Sequence, residues 1–497
     1  MTDTTVPDFD VLIVGAGISG IGMAAHLEMM CPDRSYGLLE RREKLGGTWD
    51  LFRYPGIRSD SDMHTLGFAF EPWTHEKSIA DGPAILEYLH RIADERGIRD
   101  HIRFNSKVVS ADFDVDSARW TVTLEGGDIV TANWLYLGSG YYDYDEPHDA
   151  GFDTSGFGGQ VIHPQFWPED LDYAGKKVVV IGSGATAVTI VPSMADKAAH
   201  VTMLQRTPTY YFSRPAKDGL ANWLRKVLPA ETAYKITRWK NVTMQDIGFK
   251  RARSKPEKVK DFLFKKIRAE LGDKFDEQAF TPPYDPWDQR LCLVPDADLF
   301  RAMREGRASI ATGHIDKFEE RGIRLKSGEL VEADIIITAT GLKLAMAGKI
   351  DVSVEGEPVK FEERFYYKGA MFSNLPNLSA VFGYLNASWT LRADLVSEYT
   401  CRVLNRMAEK GADLATPVLP DDHGLEEDDI FDFSSGYIQR SKHIMPKNAT
   451  AMPWRLNQEY VRDRKDMKTG AVEDGILAFG KAKVAPDAKS ETLEPAE

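Results

Sequence analysis

Two glycine-rich loops carry the residue types that could do chemistry. The first is Gly15-Ala-Gly17-Ile-Ser19-Gly20, and Glu40 follows 20 residues after its last glycine. Glycines at this spacing let the backbone approach a pyrophosphate, and a helix N-terminus opening behind them favours the same anion. An acid at that distance accepts hydrogen bonds from ribose hydroxyls and repels a 2′-phosphate. The loop therefore fits FAD or NAD. Gly46-Gly-Thr48-Trp49 comes soon after. A second glycine pair with an indole suits a flavin better than a nicotinamide. The second loop is Gly182-Ser183-Gly184-Ala185-Thr186-Ala187, followed by Gln205-Arg206-Thr207 with no acid at the ribose position. A guanidinium and a hydroxyl there suit a 2′-phosphate, which points to NADPH.

These loops need strand–loop–helix–strand units to aim them. Asp10–Val14 reads as a strand, Ile21–Met30 as a helix and Ser35–Glu40 as the next strand. The pattern recurs with a strand at Lys176–Ile181, a helix to about Ala195 and a strand at His200–Gln205. Trp134–Gly140 has the same strand-then-glycine character and marks the exit from the first unit. Ala333–Thr338, running into Ala339-Thr-Gly341, reads as the strand that returns to the first domain. The fold class is therefore α/β, with two Rossmann-like dinucleotide-binding domains (FAD and NADP) and a helical insertion. Residues 1–145 form the first part of the FAD domain. Residues 146–330 form the NADP domain, with the insertion at about 214–281. Residues 331–497 supply the second FAD part and a C-terminal tail. The insertion is rich in Lys and Arg from Arg238 to Leu271 and reads as a solvated cap. Peripheral membrane contact is its other reading.

The totals narrow the partners. Of 497 residues, 43% are hydrophobic and 28% charged, which fits a globular chain with a real core. The net charge of −14 argues against sequence-independent nucleic-acid binding. Cys31, Cys292 and Cys401 are odd in number and widely spaced, so neither a disulfide framework nor a zinc site is expected. Without a redox-active cysteine pair, electrons from NADPH must pass to oxygen or to a partner protein. A reduced, cytoplasmic compartment fits. Met1–Phe9 is polar and acidic and does not read as a signal peptide. No apolar run of about 18 residues predicts a membrane span.

One further stretch is highly specific. Phe157-Gly-Gly159-Gln-Val-Ile-His163-Pro-Gln-Phe-Trp167-Pro168 follows the pattern F-x-G-x-x-x-H-x-x-x-W-P without a gap. By this stretch the chain resembles the class B flavoprotein monooxygenases, and within them the type I Baeyer–Villiger enzymes. Gly46–Asp62 is similar to the family's flavin loop, and Pro286–Pro295 to its catalytic-arginine segment. The resemblance runs from the first strand to about Arg464.

The resemblance implies conversion of ketones to esters or lactones with NADPH and O2, through a C4a-peroxyflavin. It implies oxidation of sulfides or thioamides as well. A primarily heteroatom-oxidising flavin monooxygenase is the alternative reading. A non-catalytic flavin electron-delivery protein is another, though it would not need both nucleotide loops and the arginine segment together. Catalysis falls to Arg290, with Asp60 orienting it, and His163 acts as a hinge or positioning residue. Ser19 belongs to the first phosphate loop. Thr48, Trp49, Asp50, Leu51 and Asp60 line the flavin, and Val108 meets the adenine. Gly182 to Val188, with Arg206 and Thr207, hold NADP. Arg58, Ser59 and Asp60 sit where flavin and nicotinamide meet. Gln289 departs from ketone-oxidising relatives that carry Lys before the catalytic Arg, a residue that would help to hold the 2′-phosphate.

Overall fold

The computed structural model describes residues 6–289, 291–430 and 433–483. Its first sheet is built around Phe9–Val14, whose last four residues are all buried. A strand buried on both faces belongs inside a parallel sheet. Its neighbours, Tyr36–Leu39 and Ile129–Leu137, are both parallel to it. Ile129–Leu137 shows the change of environment along its own length. Its first half alternates in burial and pairs antiparallel with Arg119–Leu124, while its last four residues are buried throughout. From one edge the sheet runs Glu357–Pro358, Asp351–Val354, Val108–Asp114, Arg119–Leu124, Ile129–Leu137, Phe9–Val14, Tyr36–Leu39 and Ile102–Arg103. Leu378–Ala380 also pairs with Ile129–Leu137.

The helix Ile18–Met30 packs down on this sheet because Gly20 lets it. A Cβ on Gly20 would lie 1.8 Å from the Gly15 carbonyl oxygen. The long helix Trp389–Lys410 is tied alongside. Trp389 Nε1 donates to Ser19 Oγ at 2.8 Å near one end, and Asn405 Nδ2 donates to the Met30 carbonyl at 2.9 Å near the other. This packing brings together two cysteines that are distant in sequence. The Cys31 thiol lies 3.6 Å from the Cys401 carbonyl oxygen, and both residues are buried.

The second sheet has five parallel strands, in the order Ala308–Thr312, His200–Gln205, Lys177–Ile181, Ile335–Thr338 and Gln160–Ile162. Ile335–Thr338 corrects the sequence reading. It does not return to the first sheet but lies between Lys177–Ile181 and Gln160–Ile162. Its isoleucines are buried on both faces, a pattern that an interior parallel strand of either sheet would show. The boundary read at residue 331 therefore falls too early, and the chain re-enters the first sheet at Asp351–Val354.

The insertion consists of Gly219–Val227, Ala230–Ser254, Pro256–Leu271 and Glu277–Phe280. The paired strands Tyr211–Arg214 and Cys292–Pro295 bracket it. Its longest helix is more than a solvated cap. Arg238 is buried and donates to the carbonyls of His64 at 2.9 Å and Gly67 at 2.7 Å, and to the Asp394 carboxylate at 3.3 Å. One turn on, Asn241 Nδ2 donates to Asp62 Oδ1 at 2.8 Å. These bonds fasten the insertion to residues 62–67 and to the helix Trp389–Lys410.

Candidate active site

A cavity of about 300 Å³ opens between the two sheets' glycine loops. Both glycine loops reach its wall, through Gly15, Gly17 and Ser19 on one side and Ala185 and Thr186 on the other. Each loop opens a helix whose cap residue, Gly17 or Gly184, makes no side-chain capping bond. The leading N–H groups of both helices are thus available to anions in one cavity.

The first loop is shaped as a cradle. Gly15 has φ +98°, and a Cβ there would lie 2.9 Å from the Gly138 carbonyl oxygen. A Cβ on Gly17 would come within 3.5 Å of the Gly47 Cα, so the two glycine pairs face each other closely. Glu40 lines the same end and is 3% exposed. Its carboxylate accepts from the N–H groups of Ala16 at 2.8 Å and Arg42 at 2.9 Å. Burial nevertheless pushes its pKa upward. Glu40 therefore braces the glycine loop, a duty its spacing does not announce. Val108, Thr48 and Trp49 continue the wall. Thr48 Oγ1 lies 3.2 Å from the Tyr144 hydroxyl, whose pKa burial pushes up to about 12.

An aromatic face completes this half. Trp389 stacks on Tyr141 with ring centroids 4.8 Å apart and 11° between planes, and both line the cavity. Close backbone approach, open helix N-termini and a flat apolar wall fit a dinucleotide with a planar ring system such as FAD.

Comparison with known proteins decides the family. The sequence model of the family described as "Pyridine nucleotide-disulphide oxidoreductase" matches residues 12–260. The FAD-containing monooxygenase EthA of Mycobacterium tuberculosis is 50% identical over 478 residues, covering 95% of this chain and 98% of EthA. The chain belongs to the FAD-containing monooxygenases. The probable FAD-binding monooxygenase AlmA of Acinetobacter baylyi is 46% identical over 491 residues, covering 98% of this chain and 97% of AlmA. Among solved structures, an oxidized steroid monooxygenase bound to NADP has the same fold. It superposes with a TM-score of 0.77 at 22% identity, covering 95% of this chain and 99% of that one.

On the other side of the cavity, this monooxygenase presents Arg58, Ser59 and Asp60. Arg58 forms an ion pair with Asp298 and donates to the Val188 carbonyl at 3.5 Å. It therefore fastens the flavin-loop segment to the start of the helix Asp298–Arg304. Ser59 is buried, and its Oγ accepts from the Ala80 N–H at 3.2 Å. Arg290 lies outside the described residues. Cys292 is the sole cysteine lining the cavity among the described residues, so no dithiol faces it.

Several expected residues stand off the cavity. Asp50 is buried in ion pairs with Arg42 at 2.6 Å and Arg53 at 2.5 Å, and Leu51 packs into the core of the second domain. Gly20, Gly182, Ser183, Gly184, Ala187 and Val188 lie behind the wall. Gly182 is needed for space, because a Cβ there would stand 2.3 Å from the Ala339 carbonyl oxygen. The Phe157–Pro168 stretch forms the edge of the second sheet and its exit. A Cβ on Gly159 would lie 2.2 Å from the Asp334 carbonyl oxygen, so this glycine permits the edge pairing. Phe157 is buried against the same sheet, and Trp167 packs against its core. Pro168 accepts from the Leu171 N–H at 3.3 Å. His163 Nδ1 accepts from the Gln165 N–H at 3.2 Å, and burial lowers the ring's pKa.

Arg206 and Thr207 lie outside the cavity, at the end of His200–Gln205. The Thr207 carbonyl accepts from Ser183 Oγ at 3.2 Å, which places the pair beside the second loop. The sequence reading missed Arg440. Its Nη2 lies 3.6 Å from where a Cβ on Gly341 would stand, at the exit of Ile335–Thr338. Burial, and then the charge of Arg206, lower its pKa. Neither arginine has a carboxylate partner among the described residues. Two guanidiniums held near each other without a counter-ion suit an anionic ligand. The sequence reading also missed Tyr141, Tyr144 and Trp389, which line the cavity. Tyr141 follows Gly138-Ser-Gly140 directly, which was a usable signal. Trp389 had none.

Proposed function

We propose that this monooxygenase is a Baeyer–Villiger enzyme that uses NADPH and O2 to convert ketones to esters or lactones. The balance is ketone, O2, NADPH and a proton giving ester, NADP⁺ and water. The observation that carries this reading is the single cavity reached by both helix N-termini, those after Gly17 and Gly184. Two nucleotides can meet there. Bound flavin supplies the redox and oxygen-activating chemistry.

The chain's residues supply the rest. The N-termini after Gly17 and Gly184 hold the two pyrophosphates, with Glu40 at the first ribose and Val108 at the adenine. Tyr141 and Trp389 form an apolar wall that limits water. Arg290 is the fixed cation for negative charge that develops on oxygen, and Asp60 positions it. Arg suits this duty because it stays protonated at neutral pH. The Phe157–Pro168 match favours ketones as substrates. Chromatography of products from a panel of ketones and sulfides, with NADPH and O2, tests the assignment. Esters or lactones are expected from ketones. Sulfoxides alone, with every ketone returned unchanged, would make it a heteroatom oxygenase instead.

Arg206 and Arg440 are the proposed clamp on the 2′-phosphate, and Arg440 takes the place that the missing Lys at position 289 leaves open. Arg440→Ala is expected to raise the KM for NADPH about tenfold, the cost of one charge-assisted contact of about 1.4 kcal/mol, and to leave the KM for NADH unchanged. Arg206→Ala behaves likewise. Equal KM changes for both coenzymes would exclude a 2′-phosphate role.

A further inference from the structure

Gly219–Val227 and Ala230–Ser254 leave a large apolar face uncovered. On the first helix, Leu220, Trp223 and Val227 are exposed at i, i+3 and i+7, and Trp223 is 57% exposed. On the second, Ile236, Trp239, Met244 and Ile247 are exposed, with Trp239 at 66%. At about 100° per residue these four fall within roughly 140° of the helix circumference. The opposite side of that helix is occupied by the buried bonds of Arg238 and Asn241. The uncovered face is therefore the outward one.

The charge around it is equally one-sided. Residues 219–271 hold 14 Lys and Arg against 5 Asp and Glu, a net +9 in a chain whose total is −14. Lys240, Lys250 and Arg251 fall within the arc of the exposed apolar residues. Lys226, Arg251, Lys255, Lys258 and Lys265 have no carboxylate partner among the described residues. Exposed indoles with cations alongside match the boundary between lipid headgroups and acyl chains. The rings sit at that boundary, and long basic side chains reach up to phosphates.

We propose that this outward face docks the enzyme on an anionic lipid bilayer, with Trp223 and Trp239 inserted at headgroup depth and the surrounding Lys and Arg on lipid phosphates. Charge complementarity decides the occupant. A second copy joined through the same face would set its unpaired cations, Arg251, Lys255 and Lys258 among them, against their own copies, which like-charge repulsion opposes. No helix among the described residues is long and apolar enough to cross a membrane, so the contact lies on the surface. The proposal does not depend on the ketone reading, because none of its residues lines the nucleotide cavity.

Co-sedimentation of the full-length holoenzyme with vesicles tests it. Vesicles of phosphatidylcholine with roughly 30% phosphatidylglycerol are compared with pure phosphatidylcholine, at low and high salt. Binding is expected to the anionic vesicles at low salt and to fall at least tenfold on pure phosphatidylcholine. Trp223→Ser/Trp239→Ser and, separately, Arg251→Glu/Lys258→Glu are each expected to lower binding about tenfold or more. All four positions are exposed, so FAD content and melting behaviour serve as controls for folding. Equal binding to neutral and anionic vesicles, or full binding by the Trp variant, would overturn the proposal. So would a wild-type dimer that the Trp variant converts to monomers, because the face would then be a contact between copies.

Discussion

Arg290→Ala is expected to oxidise NADPH yet form almost no ester. The glycine loops, Glu40 and the Tyr141–Trp389 wall are proposed to hold the nucleotides without that side chain, so FAD content and reduction by NADPH should match the wild type. What the substitution removes is the permanent positive charge proposed for the oxygen-transfer stage. A lost oxyanion donor costs about 2.7–4 kcal/mol, or roughly a hundred- to thousandfold in rate. Oxygen should still be consumed, and the reducing equivalents should appear as hydrogen peroxide. Ester yield per NADPH, measured beside a peroxide assay, checks both halves. A yield above half that of the wild type would show that another group carries the charge. Asp60→Ala should be milder, about tenfold in rate, because Asp60 is proposed only to position the cation.

Arg238→Met should have the largest effect on stability. The guanidinium is almost enclosed, with 10% of its side chain exposed, and faces the carbonyls of His64 and Gly67 and the carboxylate of Asp394. Removing one partner of a buried ion pair costs about 3–5 kcal/mol, because the other charge stays buried. Asp394 would retain His26 at 3.4 Å and the Ala69 N–H at 2.9 Å, which places the loss toward the lower end of that range. Flavin release during denaturant titration gives the change. Arg238→Met/Asp394→Leu should lose less than the two single changes added together. A single-variant loss under about 1 kcal/mol would mean that water replaces the guanidinium.

The legible parts of this molecule are those where backbone sterics restrict the residue. Gly15, Gly20, Gly159 and Gly182 each stand where a side chain would collide with a neighbour. A glycine pattern therefore reports geometry directly, and both loops could be read from it. Ile335–Thr338 reads from sequence as a strand of the first domain but lies in the second sheet, because a short apolar strand does not encode which parallel sheet will enclose it. Asp50 lies in the expected loop but points into ion pairs with Arg42 and Arg53, and spacing alone does not set direction. Trp389, Arg440 and Arg238 act through partners far away in sequence. Trp389 meets Ser19 across 370 residues, and no local pattern signals such a meeting.

That separation also sets an order of assembly during synthesis. The strands of the second sheet all lie between Gln160 and Thr338, so the ribosome delivers that sheet as one uninterrupted stretch. The first sheet is different. Phe9–Val14 emerges early, whereas Asp351–Val354, Leu378–Ala380 and the helix beginning at Trp389 arrive near the end. At about 5–20 residues per second, Ser19 waits roughly 20–70 s for its indole partner. The cradle proposed for the flavin thus closes only after the second sheet has been made in full. A nascent chain stalled before Trp389 would carry a finished NADP-type sheet beside an open, solvent-exposed half-site.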